Sequence, residues 1–216
     1  MAKAAFFDMD LTLLRVNSGS RWVKYLRRRG EMGLPMLVRS GFWLLQYRLS
    51  LLNMEAVAAF LAADMAGDSE AEMRDKVGNF YRTEIRHTIS PVARDALEEH
   101  RGQGDSIVLL TSATPYVAEP LASELSIPHV LCTRLTVENG QFSGQVVPPA
   151  CYGTGKVHHA ERFADEHGID LAQSSFYTDS YSDLPMLERV GRPVAVNPDR
   201  RLSRHARRHG WPILRW

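Results

Sequence analysis

Four uninterrupted apolar residues, Ala4 to Phe7, run straight into two aspartates, Asp8 and Asp10. A short apolar run that stops at an acid reads as a strand buried on both faces of a parallel sheet, meeting its turn at the carboxyl end. The pattern recurs. Ser106-Ile107-Val108-Leu109-Leu110 leads into Thr111-Ser112, Ser175-Phe176-Tyr177-Thr178 leads into Asp179, and Pro193 to Val196 forms a further run. Pro212-Ile213-Leu214 is a candidate last edge strand. Val130 to Val147 reads as strand and hairpin, with Asn139-Gly140 as the turn dipeptide. Helical segments fall between these runs. Ser90-Pro91 opens one with proline at its first position, another begins near Pro115, and others span about 155–167, 182–190 and 199–208. Four or five strands alternating with helices predict an α/β fold, a doubly wound parallel sheet.

The stretch between the first two strands breaks the alternation. From about Ser18 to His87 the pattern is helical, with segments near 20–29, 34–50, 54–66 and 69–86. Gly30, Gly33, Pro35, Asn53 and the Gly67-Asp68-Ser69 turn punctuate them, and Ser69 with Glu72 forms a capping box. The predicted organisation is an α/β core of residues 1–14 and 89–216 with a helical cap, 15–88, inserted after the first strand. A chain of 216 residues, 44% apolar and 24% charged, can bury such a core and is not a disordered one.

Lys and Arg total 26 against 25 acids, so net charge implies no partner, but the distribution is uneven. Residues 15–53 hold eight basic groups and one acid, 191–216 seven and one, and 54–190 ten and 21. The basic start of the cap suits an anionic substrate, although Arg27-Arg28-Arg29 has the character of a solvated helix end. Leu34 to Met54 is the most hydrophobic stretch, interrupted by Arg39, Gln46 and Arg48 before reaching the ~18 uncharged residues a spanning helix needs. A helix packed among other helices is expected there, with membrane-surface contact as the alternative. Trp22, Trp43 and Tyr47 are expected in the core of the cap. No basic motif is interleaved with aromatics, so no nucleic-acid partner is expected. The apolar run after Lys3 ends too early for an export signal, and Cys132 and Cys151 form no CxxC. A cytoplasmic location follows as the expectation; the oligomeric state is not specified.

In a doubly wound sheet the strand ends converge on one crevice. Here they would bring together Asp8, Asp10, Thr111, Ser112, Asp179 and Asp183, with Lys156 at the start of a helix after Gly153-Thr154-Gly155. Asp8 and Asp10 are two apart and share a side of an extended backbone. One can attack phosphorus while the other protonates the leaving oxygen, splitting hydrolysis into two easier steps. Mg2+ held by Asp8 and Asp179 would offset the repulsion between anions. Lys156 and Thr111, with Ser112 beside it, would hold the phosphate oxygens.

The segment Phe7-Asp8-Met9-Asp10-Leu11-Thr12-Leu13 resembles the DxDxT signature of the haloacid dehalogenase superfamily of phosphatases. Thr111, Lys156 and the Asp179…Asp183 pair match its second, third and fourth motifs in order. The insert after the first motif and the Asp179-Ser180-Tyr181-Ser182-Asp183-Leu184-Pro185-Met186-Leu187 run are similar to the phosphoserine-phosphatase-like branch. The resemblance implies Asp8 as nucleophile, Asp10 as general acid and base, and Mg2+ bound by Asp8, Asp179 and the Asp10 carbonyl. It also implies that Asp183 supports Lys156 and the metal's waters. The implied activity is Mg2+-dependent hydrolysis of a small phosphorylated metabolite, with histidinol phosphate or another amino-alcohol phosphate as the alternative substrate. In that branch an acidic lid residue about nine positions after the nucleophile holds the ammonium of phosphoserine. The count reaches Asn17 here, with no carboxylate before Glu31, so phosphoserine is not the expected preference. Asn17 reads equally as a substrate contact or as a helix N-cap. A phospho-receiver module and a non-catalytic protein binding anionic surfaces are the competing classes. A receiver needs neither Asp10 nor a long insert, and the complete motif set argues against a silent protein.

Overall fold

The structure, a computed structural model, describes residues 2–31, 33 and 54–216. Its strands are β1 (Ala4–Phe7), β2 (Ser106–Thr111), β3 (His129–Cys132), the hairpin β4 (Leu135–Glu138) and β5 (Gln141–Val146), β6 (Ser175–Thr178), β7 (Arg192–Val196) and β8 (Ile213–Leu214). All but the hairpin join one parallel sheet of six strands, in the order β3-β2-β1-β6-β7-β8. The candidate edge strand at Ile213 is therefore present, and the sheet is wider than the four or five strands expected. Strand alternation divides the core in two. Ala5, Phe7, Ile107 and Leu109 pack on one side, and Ala4, Phe6, Val108 and Leu110 on the other. Burial on both faces explains why these strands read as unbroken apolar runs.

Between β1 and β2 the described chain forms α1 (Ser18–Arg28), α2 (Met54–Asp64) and α3 (Glu70–Phe80). The helix expected at 34–50 and the packing of Leu34–Met54 lie outside the described residues, as do Trp43 and Tyr47. Trp22 and Tyr25 of α1 pack against Phe80 of α3, with ring centroids 5.0 and 5.3 Å away, in a core that the insert shares with the first face of the sheet. Ser69 caps α3 as its capping box predicts, accepting from the Glu72 N–H at 3.4 Å. The helix expected to run to residue 86 ends at Phe80, and residues 81–88 continue in wider and then tighter turns. These turns deliver the chain back beside its point of exit. Arg15 N–H donates to Thr88 O, Ser90 N–H donates to Leu13 O, each at 2.9 Å, and Leu14 bridges Ile89 antiparallel.

Helices α4 (Pro91–Gly102) and α5 (Pro115–Glu124) cover the first face of the sheet through Ala93, Leu97, Val117 and Leu121. The second face is covered by α6 (Thr154–His167), α7 (Leu184–Arg189) and α8 (Arg200–His209), through Ala160, Phe163, Met186, Leu187, Leu202 and Ala206. The hairpin turns at Asn139 and Gly140, both with positive φ, as the favoured two-residue turn requires. It lies against the insert. Gly67 N–H donates to Phe142 O, Phe142 N–H to Asp68 O and Glu70 N–H to Gly140 O. None of the described helices is long and apolar enough to cross a membrane.

Gly191 enters β7 pressed against the preceding loop, and a Cβ there would stand 1.7 Å from the Ala172 carbonyl oxygen. Replacing it with alanine should cost about 3 kcal/mol, since backbone on both sides must move. Gly102 has open space around its Cβ position. Urea midpoints should therefore fall clearly for Gly191→Ala and hold for Gly102→Ala; equal midpoints would contradict this packing.

Candidate active site

The sheet reverses its strand order at β1, with β2 on one side and β6 on the other. That reversal opens a crevice at the carboxyl ends, and the predicted residues gather there. Asp8 leaves β1 still in register, its N–H donating to Tyr177 O at 2.9 Å. The chain then makes a tight turn over Met9–Leu13, closed by Leu14 N–H donating to Met9 O at 2.9 Å. Asp10 keeps an extended backbone, and Leu11 takes a left-handed conformation with φ 56°, uncommon for a leucine.

Lys156 is the centre of the site. It is 2% exposed, and its Nζ donates to Asp8 Oδ1 and to Asp183 Oδ2, each at 2.7 Å. Its position depends on the preceding glycine, because a Cβ at Gly155 would fall 1.9 Å from the Ala150 carbonyl oxygen. Thr178, the last residue of β6, donates its hydroxyl to Asp183 Oδ2 at 2.6 Å and fixes that carboxylate. Burial works to lower the pKa of Lys156, but Asp183 and Asp8 outweigh it and push it up.

Asp10 is held from the insert. Its carboxylate accepts from Ser18 N–H and Ser18 Oγ–H, each at 3.0 Å, and from Asn17 Nδ2 at 3.2 Å. The Asn17 carbonyl in turn caps α1, accepting from Ser20 N–H at 2.8 Å. Both ends of the Asn17 amide are thus engaged within the chain, as N-cap and as partner of Asp10. On β2, Thr111 is buried and its Oγ1 accepts from Ala113 N–H at 3.2 Å, leaving the hydroxyl proton for another acceptor. Ser112 follows it, exposed at the same strand end. Ser18 and Thr178 were not singled out from the sequence. Their only local signals were a helix start and a hydroxyl before Asp179.

The carboxylates outnumber the ammonium, and their acidities show it. Burial pushes Asp8 up to about 6, with Asp183 adding to it and Lys156 opposing it. Burial also raises Asp10 to about 7, against the Ser18 N–H that favours its charged form. Asp179 is pushed furthest, to about 9, by burial and then by Asp8, Asp183 and Asp10. Among the described residues no donor reaches the Asp179 carboxylate.

The sequence profile of the haloacid dehalogenase-like hydrolases matches residues 5–188, from β1 to the helix beyond Asp183. The chain belongs to that family. Among relatives of this haloacid dehalogenase-like hydrolase, the histidinol-phosphatase of Neisseria meningitidis serogroup C is 29% identical, covering 99% of both chains. Phosphoserine phosphatase SerB1 of Mycobacterium tuberculosis is 34% identical, over 99% of this chain and 70% of its own length. A solved structure of a Bordetella pertussis Tohama I protein of unknown function superposes with a TM-score of 0.89 at 30% identity, covering 99% and 98% of the two chains. A substrate-bound phosphoserine phosphatase shares the fold, with a TM-score of 0.73 at 16% identity, covering 99% of this chain and 93% of its own.

The family implies Mg2+, and the residues present fit it. Asp179 lacks a donor, sits among other carboxylates and presents only oxygen, which suits a hard cation. Among the described residues no three His, Cys, Asp or Glu side chains form a group that could hold a metal ion by themselves, so a bound ion would draw on main-chain or solvent oxygen as well. Asp183 already commits one oxygen to Lys156 and Thr178.

A carboxyl group raised in the folded state contributes stability that is full below its unfolded pKa and lost as pH rises through the folded value. For Asp179 that window runs from its ordinary 3.8 to about 9. In the presence of chelator, Asp179→Asn should therefore gain melting temperature relative to wild type as pH goes from 5 toward about 9. A difference that stays constant over this range would contradict the burial of Asp179 among charges.

Proposed function

We propose that the chain is a Mg2+-dependent phosphomonoesterase that hydrolyses a small phosphorylated metabolite through an aspartyl-phosphate. The observation that carries this reading is the Asp8 carboxylate. One oxygen is pinned by buried Lys156. The other is left for attack beside a second carboxyl group, Asp10, whose pKa is raised to about 7. Asp8 Oδ2 attacks phosphorus, and the bond from phosphorus to the ester oxygen breaks. Asp10 gives its proton to the departing alkoxide, then takes one from the water that cleaves the acyl phosphate. Inorganic phosphate leaves and Asp8 is restored. The Thr111 hydroxyl, Ser112 and the Lys156 ammonium hold the phosphoryl oxygens. Asp8, Asp179 and the Asp10 carbonyl would hold Mg2+, with Asp183 ordering its waters. The ion neutralises charge on the phosphoryl group when bound. Residues 15–88 serve as a lid that excludes bulk water, and the hairpin β4–β5 packs with it. Asp10 and the insert both count against a phospho-receiver, which requires neither.

Asp8→Asn keeps the shape of the strand end and removes the nucleophile. Turnover of p-nitrophenyl phosphate should drop by about a thousandfold or more, ~4 kcal/mol, with the circular dichroism spectrum unchanged. Dialysis against chelator should abolish wild-type turnover, and Mg2+ should restore it. Full activity in metal-free protein, or in folded Asp8→Asn, would refute the mechanism.

The substrate reading is a small monoester other than O-phosphoserine. Asn17 offers an amide already engaged at both ends. Glu31, the next acid along, is paired with Lys76 and Arg29. A carboxylate free to hold the substrate's ammonium is therefore not supplied by either, and charged contacts are the strong ones. Across a panel with histidinol phosphate and other amino-alcohol phosphates, kcat/KM for O-phosphoserine should trail the leader by tenfold or more, about 1.4 kcal/mol. O-Phosphoserine leading the panel would overturn this.

A further inference from the structure

The two acidic loops of the site stand on β1 and β6 and are joined side chain to side chain through Lys156, which donates to Asp8 and Asp183. A third segment, Asn197-Pro198-Asp199, touches both. It follows β7, which in the sheet is separated from β1 by β6. Asn197 nevertheless reaches across the end of β6, and its Nδ2 donates to the Leu11 carbonyl at 3.0 Å. The amide's orientation is settled by its other end, because Oδ1 accepts from Trp216 N–H at 3.0 Å and leaves Nδ2 for Leu11. Asn197 adopts φ 44°, a conformation that asparagine tolerates better than most residues. Its partner Leu11 is itself left-handed, and the Leu11 N–H is taken by Val16 O at 3.2 Å. The peptide links on both sides of Leu11 are thereby fixed, including the one that aims the Asp10 carbonyl.

Two residues on, Asp199 grips the other loop. Its N–H donates to the Asp179 carbonyl at 2.8 Å, and its carboxylate accepts from Tyr181 N–H at 2.7 Å. The same carboxylate caps α8, accepting from Arg201 and Leu202 N–H. We propose that Asn197 and Asp199 form a positioning clasp that sets the spacing between the Asp8/Asp10 loop and the Asp179/Asp183 loop. Neither touches the reacting atoms. The clasp rests on the phosphomonoesterase reading of the site and adds residues that none of the catalytic motifs contains.

The test compares Asn197→Gly, Asn197→Asp, Asp199→Ala and Asp199→Asn with wild type. Asn197→Gly keeps the permitted φ and loses both amide bonds. Asn197→Asp keeps the acceptor for Trp216 N–H and turns a donor toward Leu11 O into a repelling oxygen. Asp199→Asn is the rescue variant: its one acceptor oxygen can serve Tyr181 N–H, while its amide nitrogen turns toward Arg201 and Leu202 N–H and gives up the α8 cap, which separates the loop contact from the cap. Asp170→Ala is the control, because Asp170 is also a cap, accepting from Ala172 N–H, but it precedes β6 and lies at the amino ends of the strands, away from the site. With p-nitrophenyl phosphate, Asn197→Gly, Asn197→Asp and Asp199→Ala should lower kcat by about 10- to 100-fold. KM should stay within about threefold, as expected when orientation and not binding is lost. The Mg2+ concentration giving half-maximal rise in melting temperature should increase about tenfold in the same three variants. Asp199→Asn should recover most of both losses, and Asp170→Ala should change melting temperature alone. If Asn197→Gly does not fold, Asn197→Asp carries that half of the test. An active wild type whose folded variants keep its kcat and its Mg2+ response overturns the clasp alone. A wild type that neither turns over nor gains stability from Mg2+ overturns the function, and the clasp with it.

Discussion

A fully buried ammonium held between two buried carboxylates sets the terms for the rest of the molecule. Burial works against the Lys156 charge, and the carboxylates of Asp183 and Asp8, each 2.7 Å from its Nζ, hold it in place. The three groups arrive from β1, from the start of α6 and from the loop after β6, so the interaction exists only when those elements are assembled in this order. Losing Lys156 would leave two buried carboxylates without their cation, at a cost of about 3–5 kcal/mol. Gly155 and Thr178 follow from the same requirement. One lets the helix start close to the Ala150 carbonyl, and the other satisfies Asp183 from below.

The remaining acids leave the crevice with more negative than positive charge. An anionic substrate would be turned away from such a place unless a cation came first, which is the physical case for an oxygen-bound divalent ion at Asp179. Asp10 has a different attachment. Its oxygens are taken by Asn17 and Ser18, at the first turn of the insert. The group proposed to move the proton is thus tied to the insert and not to the sheet. Arg28 and Arg29, in the most basic run of the insert, are paired with Glu84 and Glu31, so that part of the positive charge is spent within the insert itself.

The sheet was legible because central strands are written as apolar runs, and a strand end names its own site residues by adjacency. Asp8, Thr111 and Asp179 needed only the rule that active sites lie beyond the carboxyl ends. Ser18, Thr178 and Asn197 needed coordinates, because each works through a hydrogen bond to a partner chosen by the fold. Nothing in their neighbours along the chain announces it. The hairpin illustrates the same limit. Its turn was plain in Asn139-Gly140, yet its seat on the insert depends on Gly144 lying against Ala66, and two small residues in contact have no sequence signature. The end of α3 at Phe80 was also hidden, since residues 81–88 keep a helical composition while their backbone widens and then tightens.

The antiparallel pairing of Leu14 with Ile89 has a consequence for how such a chain can vary. The insert leaves and re-enters the core through two segments joined by one antiparallel bridge, about 5 Å apart. Whatever lies between them is a closed loop as seen from β1, and doubling the length of a closed loop costs only about 0.6 kcal/mol of chain entropy. Residues could be added to or removed from the outer part of the insert while Asp8 and Asp10 kept their places. The strand-end site and the outer part of the insert are thereby free to change at different rates, with the Leu14–Ile89 bridge between them.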